Sequence, residues 1–396
     1  MSRAPGPGPA RPQPRRAFVV VIDACGTGAL PDAAAYGDEG ANTLGHLAAA
    51  VGGLDLPVLG ALGLGSILPL AGVPPAARPV LHGRLHPLGP GKDSATGHWE
   101  LMGVVPPAPL PAYPEGFPPD VLAALETAMG RGLICNRPCN GIEAIEGFGA
   151  EHLRSGRLIA YTSQDSVLQI AAHVDLVPEP ELWEMCARAR AVMTGEHAVG
   201  RVIARPFRGE PGSFERTDGR RDLALPPPGR SHLDELRDAG VPVHAVGKVS
   251  QLFPGAGIDV AHPGATNARA LAEIGELIAG LDRGLVFANL VETDQVYGHR
   301  KDLAGFARAL AEIDAALGGW LAALRDEDLL VLTADHGCDP TTPGTDHTRE
   351  HAPLLARFAG DGGRRHDGPL ADVGASALRW LAGRDAPALP GRSFLP

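Results

Sequence analysis

Apolar residues along this chain fall into short unbroken runs that end on polar or charged positions. Between the runs lie longer stretches whose apolar residues recur every three or four places. AFVVVI, Ala17 to Ile22, is the first run. It is apolar throughout rather than alternating, the signature of a strand buried on both faces of a parallel sheet. Leu158 to Thr162, Arg201 to Phe207, Val241 to Val246, Gly284 to Val291 and Leu329 to Leu332 read as further strands. Helical spacing marks Asp120 to Met129 and Thr266 to Ala279. Phe306, Leu310, Ile313, Leu317, Leu321 and Leu324 mark one long amphipathic helix. Such alternation predicts a doubly wound α/β sheet, with Leu329 to Leu332 as its closing strand. The Pro/Gly-rich stretch from Ala71 to Pro90 reads as a connecting loop. Gly91 to Glu100 and Glu292 to His299 read as polar turns.

Proline crowds Pro106 to Pro119 and again Pro226 to Pro228, composition shifts that suit domain boundaries. A smaller α/β domain is therefore expected at 109–225, inserted as a cap into a core built from 17–108 and 226–396. Residues 1–16, rich in Pro, Gly and Arg, read as a disordered tail.

At 396 residues and a net charge of −11, the chain has the length for a large core and no bulk positive charge for a polyanion, so nucleic acid is not expected as a partner. One locally positive pocket for a small phosphate stays compatible with that balance. Five scattered cysteines suit a reducing compartment; Cys135 and Cys139 form a lone C-x3-C without a second pair. Neither an apolar leader nor a run of membrane-spanning length occurs. A cytoplasmic protein without a membrane or obligate protein partner is the expectation.

In sheets of this kind ligands collect beyond the carboxyl ends of the strands. There the runs deliver Asp23, Asp294, and Asp335 with His336. His299 follows Asp294 by five residues, and His347 stands in the loop after His336. Three carboxylates and three imidazoles suit two divalent cations, with Mn²⁺, Mg²⁺ and Zn²⁺ all compatible. Paired cations clamp the attacking and leaving oxygens of a phosphoryl displacement. Thr96, beside the small Gly97, is the candidate nucleophile.

VVIDACGTG, GDEGANTLGH, GKDSATGHWELMG, YTSQDSVLQIAAH, GRVIARPF, GKVSQLF, NLVETDQVYGH and TADHGCDPTTPGTDHTREH resemble, in order, the segments of phosphopentomutases, a branch of the alkaline phosphatase superfamily. The resemblance covers the chain from Ala17 onward and implies an alkaline-phosphatase-like core with an inserted cap. It further implies one manganese held by Asp23, Asp335 and His336, and a second held by Asp294, His299 and His347. Thr96 matches the threonine that carries the phosphoryl group and bridges the metals. The implied reaction interconverts ribose 1-phosphate and ribose 5-phosphate, and the 2-deoxyribose pair. It proceeds through a phosphothreonine and a sugar bisphosphate, with glucose 1,6-bisphosphate or ribose 1,5-bisphosphate as activator. Asp165, Arg201, Ile203, Arg216 and Lys248 match positions near the sugar phosphate.

Two departures stand out. Cys25 sits where serine is common, and Ser94-Ala95 varies the residues before Thr96. A cysteine so close to the presumed metals predicts sensitivity to oxidation. A metal-dependent phosphatase and a cofactor-independent phosphoglycerate mutase are the rival activities on the same scaffold. The second is expected to use serine as its nucleophile.

Overall fold

Seven consecutive residues, Arg16–Ile22, form strand β1 with every side chain buried. A strand with no solvent-facing position has to lie inside a sheet covered on both sides. The structure, a computed structural model, describes residues 15–163 and 166–396. They fall into two units, one formed by the chain up to Pro107 together with Pro227–Pro396, the other by Ala108–Pro226. Asp165 and the first fourteen residues of the expected tail lie outside the described residues.

In the first unit β1 is followed by helix α1 (Thr43–Ala50), β2 (Leu81–His86), α2 (Ser94–Leu101), β3 (Val243–Val246) and β4 (Val260–His262). Then come α3 (Asn267–Gly280), β5 (Gly284–Leu290), α4 (Leu303–Ala323), β6 (Asp328–Thr333), β7 (Ala352–Arg357), β8 (Gly368–Pro369) and α5 (Asp372–Ala382). The strands make one sheet in the order β4-β3-β5-β1-β6-β7-β2-β8. From β4 to β6 all neighbours are parallel. β7 runs antiparallel to both β6 and β2. This is the expected mixed α/β class, extended at one side by an antiparallel strand. Register fixes what happens next. Ile22 pairs with Leu290 and Val21 with Thr333, so β5, β1 and β6 end side by side and their following residues meet.

Six local expectations need correction. Arg16, assigned to the tail by composition, opens β1 and is 1% exposed. Its Nε and Nη2 donate to the two oxygens of Asp328 at 2.8 and 2.5 Å, so the charge is buried only because it is paired. The expected loop at 71–90 contains β2, whose His82, Arg84 and His86 disguise a strand. Gly91 to Glu100 is no turn: α2 occupies most of it, with Thr96 to Leu101 buried. Leu329 to Leu332 does not close the sheet, because β7 and β8 follow. The expected turn after β5 is itself wound, a single wide helical turn over Thr293–Gly298. In α4 the apolar stripe is as expected, except that Trp320 rather than Leu321 takes the buried position.

The second unit is a sheet in the order Leu133–Pro138, Leu158–Thr162, Val167–His173, Arg201–Arg208, Glu215–Arg216, with Arg221–Ala224 also paired to Arg201–Arg208. Alternation sends Leu158, Ala160, Leu168 and Ile170 to one face, against helices Pro119–Met129 and Glu179–Val192. Ile159, Tyr161 and Ala171 go to the other, against helix Gly141–Ser155.

Candidate metal and phosphoryl-transfer site

Asp23 directly follows β1. The chain must turn sharply there, and Ala24 adopts φ +62°, a left-handed conformation that costs a non-glycine residue of order 1–3 kcal/mol. What holds it is the Asp335 carboxylate, whose Oδ1 accepts from the Ala24 N–H at 3.2 Å and from the His336 N–H at 3.1 Å. The other oxygen of Asp335 is left facing the site. Asp23 is held in the same fashion: Oδ2 accepts from Asn289 Nδ2 at 3.1 Å, and Oδ1 is buried without a hydrogen bond. Asp294 Oδ1 and Asp335 Oδ2 are likewise buried and unpartnered.

The imidazoles point the same way. His336 Nδ1 faces the Gly337 carbonyl at 3.1 Å and His299 Nδ1 faces the Thr345 carbonyl at 2.6 Å. A carbonyl only accepts, so both rings carry their proton on Nδ1 and turn Nε2 toward the carboxylates. His336 Nε2 lies 3.5 Å from Asp23 Oδ1 and 3.3 Å from Asp335 Oδ2. His299 Nε2 lies 3.4 Å from Asp294 Oδ2, and His347 Nε2 lies 3.5 Å from Asp294 Oδ1 and 3.1 Å from His299 Nε2. Lone pairs that face lone pairs in a dry site are unfavourable unless a proton or a cation stands between them. The donor set therefore fits divalent cations, as Asp23, Asp335 and His336 on one side and Asp294 with His336 and His347, or with His299 and Cys338, on the other.

Charge balance says the same. Burial, then the nearby Asp335 and Asp294 charges, push the Asp23 carboxyl well above the usual range. Burial also works against Asp294, but contacts from His299 and His347 outweigh it and hold that carboxyl well below. Asp335 is held low against its own burial by His336 and His98. Of the three carboxyls, Asp23 is therefore the one whose charged form is most disfavoured without cations. Lys248, just beyond β3, is close enough for its charge to favour the Asp23 anion.

Thr96 lies in the first turn of α2 and is 1% exposed. Asp93 caps that helix, Oδ1 accepting from the Ala95 and Thr96 N–H groups at 3.0 and 3.1 Å. Its second oxygen accepts from the Thr96 hydroxyl at 2.9 Å. Gly97 lets the helix dock: a methyl there would fall 2.5 Å from the Asp335 carbonyl oxygen. It is Ser94, however, whose hydroxyl touches the cluster, 3.1 Å from His336 Nε2.

The other residues indicated by the sequence are distributed differently. Arg201 and Ile203 lie on one strand of the second unit, and Arg216 pairs with Phe207 farther along it. The Arg216 guanidinium and the Tyr161 hydroxyl both lie where a side chain at Gly141 would go. Tyr161 is in register with Gln169, and Gln169 with Ile203, so Arg216 reaches back to the row of Ile203. Arg201 is 3.8 Å from Asp222 and Ile203 is buried.

Sequence reasoning missed Asp93, Ser94, His98, Asn289 and Cys338. All but Asn289 stand within a few residues of a named ligand or of Thr96. Cys338 Sγ groups with Asp294 and His299, but burial pushes its thiol far up. Cys25 is less accessible than its place two residues after Asp23 suggests. It is 2% exposed and lines a small apolar cavity with Ile22, Leu44 and Leu59. Burial, then the carboxylates around it, push its thiol well above the ordinary value. A protonated, enclosed thiol is unreactive.

A family model described as the metalloenzyme superfamily matches residues 15–382. The chain is 49% identical over 387 residues to a phosphopentomutase of Anaeromyxobacter dehalogenans, covering 96% of this chain and 97% of that one. It is 51% identical to the phosphopentomutase of Syntrophotalea carbinolica and 48% identical to that of Caldanaerobacter subterraneus, in each case over 86% of this chain and 87% of the other. With identity at that level over nearly the whole length of both partners, the chain belongs to the phosphopentomutase family of the metalloenzyme superfamily and is an isomerase.

Proposed function

We propose that this enzyme interconverts ribose 1-phosphate and ribose 5-phosphate, and the 2-deoxyribose pair, with Thr96 as the residue that carries the phosphoryl group. One observation supports this reading above others. Three imidazoles and three unpartnered carboxylate oxygens converge at the strand ends, and α2, which carries Thr96, docks on Asp335.

Asp23, Asp335 and His336 would hold one divalent cation and Asp294, His299 and His347 the other, manganese by family resemblance. When bound, they supply the positive charge that stabilises the phosphoryl group in transfer. The chain's own residues do the rest. A sugar bisphosphate primes the enzyme: the Thr96 hydroxyl passes its proton to Asp93 Oδ2, Oγ1 forms a bond to phosphorus as the bond from phosphorus to the sugar oxygen breaks, and that oxygen takes up the proton. The phosphothreonine then gives its phosphoryl group to the free hydroxyl of a pentose monophosphate, forming a bisphosphate. Thr96 recovers a phosphoryl group from the opposite end, so phosphate is conserved and the monophosphate is isomerised. Lys248 suits the phosphate as a point charge. Asp165, Arg201, Ile203 and Arg216 are proposed as contacts to the sugar phosphate by family resemblance.

Incubation with ribose 1-phosphate, Mn²⁺ and a catalytic amount of glucose 1,6-bisphosphate should yield ribose 5-phosphate without free phosphate. Release of inorganic phosphate alone would instead identify a phosphatase. Peptide mapping of the primed enzyme should place the added phosphate on Thr96; phosphate on Ser94, whose hydroxyl is the one that touches His336, would reassign the nucleophile.

A further inference from the structure

His98 and Asn289 are both fully buried, and no step above uses them. His98 follows Thr96 by two residues on α2; Asn289 is near the end of β5. Asn289 Nδ2 lies 3.1 Å from Asp23 Oδ2 and 2.7 Å from His98 Nε2. A carboxylate oxygen accepts, so the Asn289 group facing it is the amide N–H₂, and its second proton goes to His98 Nε2. That nitrogen is therefore the acceptor, and the ring proton sits on Nδ1. Nδ1 faces the Ser94 carbonyl at 2.8 Å and lies 3.1 Å from Asp335 Oδ2. Asp23, Asn289 and His98 are thus joined by hydrogen bonds with assigned donors, and His98 Nδ1, donating to the Ser94 carbonyl, packs against Asp335 Oδ2, so the group spans β1, β5, α2 and the end of β6.

We infer that His98 and Asn289 are paired positioning residues that fix the separation and orientation of the Asp23 and Asp335 carboxylates for a divalent cation, and tie that spacing to the helix bearing Thr96. The inference rests on the two-cation reading of the site. Its physical basis is that carboxylates of like charge in a dry pocket would otherwise swing apart. Asn289 uses one oxygen of Asp23 and leaves the other facing the site, while Ala24 and His336 N–H groups do the same for Asp335. Because Gly97 packs on the Asp335 carbonyl, a shift of His98 would also move Thr96. Partners of metal ligands in this position typically contribute a factor of about 10–100 in metal affinity.

The test is a titration of metal-stripped enzyme with Mn²⁺, followed by calorimetry and by the electron paramagnetic resonance of bound Mn²⁺, for wild type, H98A, N289A and H98A/N289A. One of the two binding events should weaken about 10–100-fold in each single variant. The double variant should be little worse than the poorer single one, since either change breaks the same link. H98N, whose amide can donate where Nδ1 does, should recover part of the affinity; N289A and H98N also carry the test if H98A does not fold. Wild-type binding retained at full affinity in H98A and N289A overturns the inference alone. Strictly additive losses in the double variant overturn the link. Wild-type enzyme that binds no Mn²⁺ overturns the cation reading and this inference with it, whatever the turnover assay shows.

Discussion

At the scale of single residues, charges stay buried here only where geometry compensates them. Arg16 and Asp328 are 1% exposed each, bonded at both forks, and Arg16 Nη1 also donates to the Ile278 and Leu281 carbonyls. Removing one partner strands the other charge, so Asp328→Ala should cost about 3–5 kcal/mol in urea unfolding. The double change R16M/D328L should cost much less, and an equal loss in both would show that packing rather than charge is at stake. Thr96→Ala tests the opposite kind of residue, one whose side chain is small and whose role is chemical. It should fold as wild type does, yet form no ribose 5-phosphate and take up no phosphate from a bisphosphate. Cys25 shows how sequence position misleads at this scale. Its place two residues after Asp23 is visible in the chain, but the direction of its side chain, into an apolar cavity, is not. Mild peroxide should therefore leave activity intact, and a loss traced to Cys25 by C25S would contradict that.

Among the elements, β1, β5 and β6 were legible because a strand buried on both faces is written as an uninterrupted apolar run. Their carboxyl ends named Asp23, Asp294 and Asp335 at once. α2 was illegible for the complementary reason. Its residues, SATGHWEL, have no helical apolar period, because the helix buries polar groups against other polar groups: Thr96 on Asp93, His98 on Asn289 and Asp335, and Glu100 on the Leu88 and Gly89 N–H groups. The His98 partners come from segments far along the chain, and no local pattern announces them. β2 was hidden by His82, Arg84 and His86, and β7 by the metal-loop motif just before it. The Asp93 cap gives a clean prediction for α2. Asp93→Asn keeps an oxygen for the Ala95 and Thr96 N–H groups, so thermal stability should hold. The second atom then becomes a donor and can no longer accept from the Thr96 hydroxyl, so turnover should fall while Mn²⁺ affinity does not. Asp93→Ala removes the cap as well, at about 1 kcal/mol. Equal turnover in D93N and wild type would reduce Asp93 to a cap.

Across the whole molecule, the sheet gathers three carboxyls into a space that admits them only with compensating charge, and this couples metal, pH and stability. Asp23 is the group whose folded value is raised, by burial first and by Asp335 and Asp294 next. Below the ordinary aspartate range, about pH 4, both folded and unfolded Asp23 are protonated and it contributes nothing. As pH rises above that, the unfolded chain loses the proton first, so the metal-free fold is progressively destabilised until its own Asp23 ionises. Asp294 and Asp335 have the opposite sign. Their depressed values contribute stability above the ordinary range, lost as pH falls through the folded values. At neutral pH a divalent cation removes the Asp23 penalty and stabilises by mass action as well. The rise in melting temperature on adding Mn²⁺ should therefore grow from about pH 5.5 to pH 7.5, as less of the binding free energy goes to displacing a proton. In Asp23→Asn the metal-free protein should melt higher than wild type at pH 7.5, and the Mn²⁺ effect should shrink and lose most of its pH dependence. A metal-free D23N that melts lower than wild type at neutral pH would mean that Asp23 is already ionised and compensated by the chain itself, with Lys248 the cation that favours its anion.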